Sequence, residues 1–322
     1  MRILITGTAG FIGFHLAKRL LDEGNEVVGI DNFNDYYEVS LKEDRNKILE
    51  EYDNFKLYRL DISDLEDLKK VFEENEFDKV CNIAAQAGVR YSIENPYVYA
   101  DANLVGFVNM INLTKENGIE QFVYASSSSV YGNGEKYPCS ELDDVDHPIS
   151  LYAASKRANE LIAYTYNHLF GLRTIGLRFF TVYGPWGRPD MAIYKFAKKM
   201  MNDEEIPVFN YGKDLKRDFT YIDDIIDGVC LALESDYENE VFNLGKGSPD
   251  ELGYMIDLIE KYMGIEAKKN LLPMQQGDVM ITYSDTSKAK KMLGYSPKTT
   301  LDEGIEKFVE WFEGYYELKW NV

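Results

Sequence analysis

The chain has 322 residues, 45% of them hydrophobic, and a formal net charge of -20 from 35 Lys and Arg against 55 Asp and Glu; it can bury a large core in one big or two intimate domains. The interspersed basic residues form no stripe, which excludes nucleic acid as a partner, and no apolar run approaches the roughly 18 residues of a membrane span, so the expectation is a cytoplasmic protein with no membrane partner. Cys81, Cys139 and Cys230 lack C-x-x-C spacing and His15, His147 and His168 form no cluster with them, so no disulfide framework or metal site is indicated and any cofactor is expected to be organic.

Arg2-Ile3-Leu4-Ile5-Thr6 is a short apolar run of the buried parallel-strand kind, and Gly7-Thr8-Ala9-Gly10-Phe11-Ile12-Gly13 follows at once. A helical pattern then begins, with Phe11, Phe14, Leu16, Leu20 and Leu21 near one face and Lys18, Arg19, Asp22 and Glu23 mostly on the other. In this order Gly7 permits the tight turn, Gly10 lets the backbone approach a pyrophosphate, and Gly13 permits close helix packing; the helix N-terminus, with Phe11 and Ile12, faces the anion. The second strand, Glu26 to Ile30, ends in Asp31, where a carboxylate can take ribose hydroxyls. Asn32, Phe33 and Asn34 follow without an arginine for a 2′-phosphate, which favours NAD over NADP; the other reading of Asp31 is an aspartate that merely opens a turn. A third strand, Phe55 to Leu60, ends at Asp61-Ile62, placed to hold an adenine edge. A fourth, Val80 to Ala85, brings Ala84 and Ala85 to the same edge, and Gln86 to Arg90 form the loop beyond. Strands alternating with helices predict a parallel, doubly wound sheet with ligands at the C-terminal strand ends.

Gln121 to Ala125 is a fifth strand and delivers Ser126-Ser127-Ser128-Ser129 to that edge. After a loop containing Pro138 and Pro148, Tyr152 and Lys156 lie four apart, on one face of a helix. Tyr-x-x-x-Lys also occurs at Tyr52/Lys56, Tyr194/Lys198 and Tyr315/Lys319, each read as a solvated surface pair. Only at Tyr152 does a serine run at a strand end precede the pair within one crossover. The reading is therefore Tyr152 as general base, Lys156 as the cation that lowers its pKa, and Ser127 as the hydroxyl that shares the proton.

Gly7-x-x-Gly10-x-x-Gly13, the Ser127/Tyr152/Lys156 set and Arg217-Asp218-Phe219-Thr220-Tyr221-Ile222-Asp223-Asp224 together resemble the extended short-chain dehydrogenases/reductases acting on nucleotide-sugars, over essentially the whole chain. The resemblance implies tightly held NAD, contacted also by Lys156. It implies a Rossmann domain at 1–178 with a return segment at about 218–236, and a smaller, mixed α/β domain for the nucleotide-sugar at about 179–217 and 237–322. It also implies a homodimer through the helices near Tyr97–Asn117 and Tyr152–Phe170, Arg217 on the UDP phosphates and Asp278 on the uridine ribose. Many relatives carry an arginine in place of Gln275 or Gln276, so a second phosphate contact is not assigned.

Dehydratases of this family carry acids where this chain has Ser128 and Ser129. Hydroxyls cannot do that carboxylate work at neutral pH, which favours simple epimerisation. Ala84 to Ser92 and Arg178 to Ala192 look like the branch acting on UDP-glucuronate, with Thr181 where UDP-galactose 4-epimerases usually have Asn. Arg188, after Gly184-Pro185-Trp186-Gly187, is the candidate for the C5 carboxylate through two parallel hydrogen bonds; the other reading is a loop arginine paired to Asp190. Arg90 is a further substrate candidate, with a structural role as its alternative, and Ser128, Ser129 and Thr181 complete the set. The implied reaction is 4-epimerisation of UDP-glucuronate through a ketone. UDP-glucose/galactose epimerisation, decarboxylation and a non-enzymatic NAD-sensing module are the alternatives.

Overall fold

The computed structural model describes residues 1–134, 136–274 and 279–320, the side chains of 318–320 excepted. Its first part runs β1 (Arg2–Thr6), α1 (Phe11–Asp22), β2 (Glu26–Asp31), α2 (Val39–Glu50), β3 (Phe55–Arg59), α3 (Leu65–Glu74), β4 (Lys79–Asn82), the single turns α4 (Tyr91–Glu94) and α5 (Tyr97–Tyr99), α6 (Gly106–Glu116), β5 (Gln121–Ser127) and α7 (Leu151–Phe170). Then come β6 (Arg173–Phe179), β7 (Thr181–Tyr183), α8 (Ala192–Met201), β8 (Ile206–Val208), β9 (Lys216–Arg217), β10 (Phe219–Tyr221), α9 (Ile222–Glu234), β11 (Asn239–Leu244), β12 (Asp250–Glu251), α10 (Leu252–Met263), β13 (Lys269–Leu271), α11 (Ser287–Leu293) and α12 (Leu301–Trp320).

Seven strands form one parallel sheet in the order β11-β6-β5-β4-β1-β2-β3. Alternation along the strands supplies both faces. Ile3, Ile5, Val27, Cys81, Val123, Ile175 and Leu177 join the core that holds α1 and α9. Leu4, Val28, Val80, Phe122 and Tyr124 join Leu68 and Phe72 of α3 and Phe107 and Met110 of α6 on the opposite side. The sheet is thus the doubly wound, Rossmann-type architecture expected.

Three differences from expectation have local causes. β4 stops at Asn82, because the Thr6 hydroxyl donates to Asn82 Oδ1 (2.8 Å) and accepts from the Ala84 amide (3.0 Å), turning Ile83–Ala85 into a loop. β5 runs on through Ser127, where it stays in register with Arg178 and Phe179. β11, in a stretch assigned to the smaller domain, is instead the seventh strand of the main sheet, paired with β6 from Thr174 to Phe179; α9 buries Ile225, Ile226 and Val229 and returns the chain to that edge.

The remaining strands form three two-stranded pairs, β7 with β10, β8 with β13 and β9 with β12, packed with α8, α10 and α12 into a mixed α/β region. As expected, Phe312 and Tyr316 are core and Trp311 and Tyr315 pack against it. Tyr194 joins them, its hydroxyl 2.9 Å from that of Tyr316, so Tyr194/Lys198 is not a surface pair: the tyrosine is buried and Lys198 reaches Glu38.

Candidate active site

A cleft of about 840 Å³ opens at the C-terminal ends of the sheet strands and continues beneath the smaller region to Arg217 and Thr282, the size range of a cofactor-and-substrate site. All predicted site residues that the structure describes line it, from the glycine loop to Arg217; Asp278, with Gln275 and Gln276, lies outside the described residues. Among the described residues, no group of three or more His, Cys, Asp or Glu is placed to hold a metal ion.

The cradle at β1 and α1 has no room for side chains. Gly7 sits at φ +80°, and a Cβ on Gly13 would fall 2.0 Å from the Gly7 carbonyl oxygen, so only glycines let this loop close while its backbone stays open to an anion at the helix N-terminus. At the end of β2, Asp31 accepts from the amides of Ala9 (3.0 Å) and Phe33 (2.8 Å). Burial pushes its carboxyl upward, against these amides and the charges of Lys42 and Arg45. Asp61 is partly buried, yet hydrogen bonds from Ser63 and Asn32 hold it below the usual carboxylate range. The close backbone, the carboxylate and the polar edge fit a dinucleotide.

Tyr152 and Lys156 project from the first turns of α7, which is fixed at its start by Ser150 Oγ accepting from the Ala153 amide (3.1 Å). Lys156 is buried and donates to the Ala125 carbonyl at the end of β5 (2.9 Å). Burial brings its pKa down to about 7, and the same burial pushes the Tyr152 phenol up, opposed by its hydrogen bond with Ser127 and by the charge of Arg188. Among these side chains Ser127 and Arg188 lower the phenol, and burial is the larger effect. Ser127 Oγ accepts from the Ser129 amide (3.2 Å) and hydroxyl (2.9 Å), so among the described residues the partners at this corner are hydroxyl and amide groups rather than a carboxylate. At the rival pairs the phenols are engaged elsewhere: Tyr52 donates to Asp22 and Tyr315 to Asp44.

On the opposite wall Arg188 makes the bidentate pair with Asp190, Nε to Oδ1 at 3.0 Å and Nη2 to Oδ2 at 2.5 Å, and Tyr36 donates to the same carboxylate at 3.3 Å. Arg188 is thus paired to Asp190, and it also lines the cleft close enough to Tyr152 for its charge to act on the phenol. Arg90 stacks over Phe209, 5.4 Å from the ring centre. Arg217 donates to the carbonyls of Lys216 (2.9 Å) and Met280 (3.1 Å).

Four groups around the cleft, Glu160, Arg178 and Arg45 buried and His15 half-buried, escaped the sequence reading. Glu160, one turn beyond Lys156, pairs with Arg178 through two 2.8 Å bonds and accepts from Ser126 (2.7 Å). Arg45, fully buried on α2, and His15, on α1, both reach the turn before Arg188. Arg45 had a signal: Leu41, Arg45 and Leu49 recur at intervals of four, which puts the arginine on the buried stripe.

A family model described as GDP-mannose 4,6 dehydratase matches residues 4–308. The chain is 46% identical over 332 residues to UDP-glucuronate 4-epimerase 4 of Arabidopsis thaliana, covering 98% of this chain and 76% of that one. The structure of UDP-glucuronic acid 4-epimerase from Bacillus cereus in complex with UDP-glucuronic acid and NAD superposes with a TM-score of 0.91 at 36% identity, covering 98% of this chain and 100% of the other. That of UDP-glucose 4-epimerase from Thermotoga maritima with UDP-glucose gives 0.90 at 31%, with the same coverage.

Proposed function

The chain belongs to the extended short-chain dehydrogenase/reductase family of nucleotide-sugar enzymes, and from that premise we propose that it is an NAD-dependent UDP-glucuronate 4-epimerase, an isomerase that makes UDP-galacturonate through a 4-keto intermediate. The observation that carries this reading is that Arg188, Tyr152 and the three serines Ser127, Ser128 and Ser129 line one cleft. The substrate carboxylate is attached to C5, next to the reacting C4. A group that holds that carboxylate must lie close to the base that works on the C4 oxygen, and Arg188 suits this place.

The glycine loop and the start of α1 would hold the NAD pyrophosphate, Asp31 and Asn32 the adenosine ribose, Asp61 and Ile62 the adenine, and Ala84, Ala85 and Lys156 the nicotinamide half. Bound NAD supplies the acceptor that stores the C4 hydride and returns it to the other face, and its positive ring offsets the burial that holds the Tyr152 phenol up. Tyr152 Oη takes the C4 hydroxyl proton and Ser127 Oγ shares it. Lys156, anchored on Ala125, orients this end of the cleft. Arg188 holds the carboxylate in competition with Asp190, helped by Thr181 and the hydroxyls of Ser128 and Ser129. Arg217, Asp278 and Arg90 serve the UDP end.

A homodimer is supported by exposed apolar residues, Tyr97, Val105, Val108, Leu161, Tyr164 and Leu169, along α5, α6 and α7 and the turn between the first two. A cytoplasmic location is supported by three cysteines that are all buried and free, and no helix among the described residues is long and apolar enough to cross a membrane. Turnover compared on UDP-glucuronate and UDP-glucose tests the specificity. The account expects a clear preference for the uronate; a preference for UDP-glucose would install the second reading, which the likeness to the Thermotoga maritima enzyme supports.

A further inference from the structure

We propose that His15 and Arg45 are positioning residues that clamp the Pro185-Trp186-Gly187 turn and so aim Arg188 at the substrate carboxylate; this rests on the UDP-glucuronate reading above. The turn offers three successive carbonyls to two side chains of the cofactor-binding half. His15 Nε2 lies 2.9 Å from the Pro185 oxygen, and Arg45 Nη2 donates to Trp186 (2.6 Å) and Gly187 (3.1 Å). His15 is neutral above a pKa pushed down by burial to about 4, so the Nε2–H tautomer is the donor that the Pro185 carbonyl selects.

Trp186 adopts φ +58°, a left-handed conformation that bulky residues rarely take. Such strain persists only where the surroundings over-determine it, and it clusters where geometry matters to function. Here the indole is wedged between Phe14 (5.7 Å), Trp311 (5.2 Å) and Tyr315 (5.2 Å) while its carbonyl is held by Arg45. Arg188 is two residues further on, so fixing the backbone at 185–187 fixes where its guanidinium starts.

Arg45 also reaches the other way. Its Nη1 donates to the Ala9 carbonyl (2.8 Å) and to the Tyr37 hydroxyl (2.8 Å). Ala9 lies between Gly7 and Gly10, and its amide holds Asp31. One planar fork therefore ties the cofactor loop to the substrate loop, and a lysine, with a point charge on a flexible stem, cannot span both. The 4-keto intermediate is a β-keto acid. If the ring flexes so that the carboxylate leaves the sugar plane and the C5–C6 bond lies parallel to the carbonyl π orbital, that bond breaks, CO2 leaves, the bonding pair becomes the enolate, and C5 takes a proton from water to give a UDP-4-keto-pentose. A clamped Arg188, by holding the carboxylate in the sugar plane, opposes that change.

The test uses the full chain with NAD bound, as wild type, Arg45→Lys and His15→Phe. Bound NAD, thermal midpoint, kcat and KM on UDP-glucuronate, and the ratio of UDP-galacturonate to decarboxylated product are measured. His15→Phe keeps a ring in the same aromatic setting and removes one donor. It should retain NAD and lose about fivefold in kcat/KM, with more decarboxylated product than wild type. Arg45→Lys should lose tenfold or more, with a larger leak. Wild-type kcat/KM and product ratio in both variants, or losses that track NAD release with an unchanged ratio, would overturn the clamp. A wild-type protein that does not convert UDP-glucuronate would overturn the functional reading instead.

Discussion

Burial acts on Tyr152 and Lys156 in opposite directions, and both consequences are measurable. Bringing a phenol from its ordinary pKa of about 10 to near 7 takes roughly 4 kcal/mol of phenolate stabilisation. The hydrogen bond from Ser127 and the Arg188 charge offset only part of the burial that raises it. Tyr152→Phe should keep NAD and nearly abolish epimerisation; substantial turnover, assayed beside the bound-NAD content, would remove the base assignment. For Lys156 the prediction concerns stability. Its folded pKa, about 7, lies below the unfolded value, so the unfolded state holds the extra proton between these values and the burden grows as pH falls from above 10 toward 7, then levels off. In NAD-stripped protein, the stability gained by Lys156→Met over wild type should therefore be about 2 kcal/mol larger at pH 7 than at pH 9, read from urea denaturation; a pH-independent difference would contradict it. Arg188→Ala should lower kcat/KM on UDP-glucuronate by roughly a hundredfold, about 3 kcal/mol for two charged hydrogen bonds, with NAD content unchanged.

α7 is the element that joins catalysis to stability. Tyr152, Lys156 and Glu160 follow one another at intervals of four, and Glu160 meets Arg178 of β6 in a pair with both side chains almost wholly buried. Removing one partner leaves the other charge without compensation, so Glu160→Leu should cost about 3–5 kcal/mol in urea denaturation, against about 1 kcal/mol for losing the helix cap in Ser150→Ala. What was legible in the sequence at this scale was local: the glycine turn between an apolar strand and an amphipathic helix, and a tyrosine and lysine one turn apart behind a strand-end serine run. What was not legible depended on distant partners. β11 was missed because Asn239 and Glu240 dilute a short apolar run whose pairing lies on β6. Nothing local marks Glu160 and Arg178 as partners, since they lie on different elements that only the fold brings together.

At the scale of the whole molecule, the sheet edge and the smaller region enclose one cleft, with the glycine loop, Asp31 and Asp61 on the sheet side and Arg217 at the far end. A ligand that binds only this closed arrangement stabilises it by mass action, so NAD at about a hundred times its dissociation constant should add about 2.7 kcal/mol to the stripped protein, visible as a raised thermal midpoint. With a net charge of -20, the proposed binding of an anionic nucleotide-sugar relies on local cations such as Arg217 and Arg188. The central claim is that this cleft removes and returns one hydride on UDP-glucuronate without consuming a cofactor. NMR of UDP-glucuronate incubated with the protein, with no NAD added, should show UDP-galacturonate accumulating to a constant ratio with no net redox product and little CO2. A UDP-pentose with stoichiometric CO2, or no change in the sugar while UDP-glucose is converted, would contradict it.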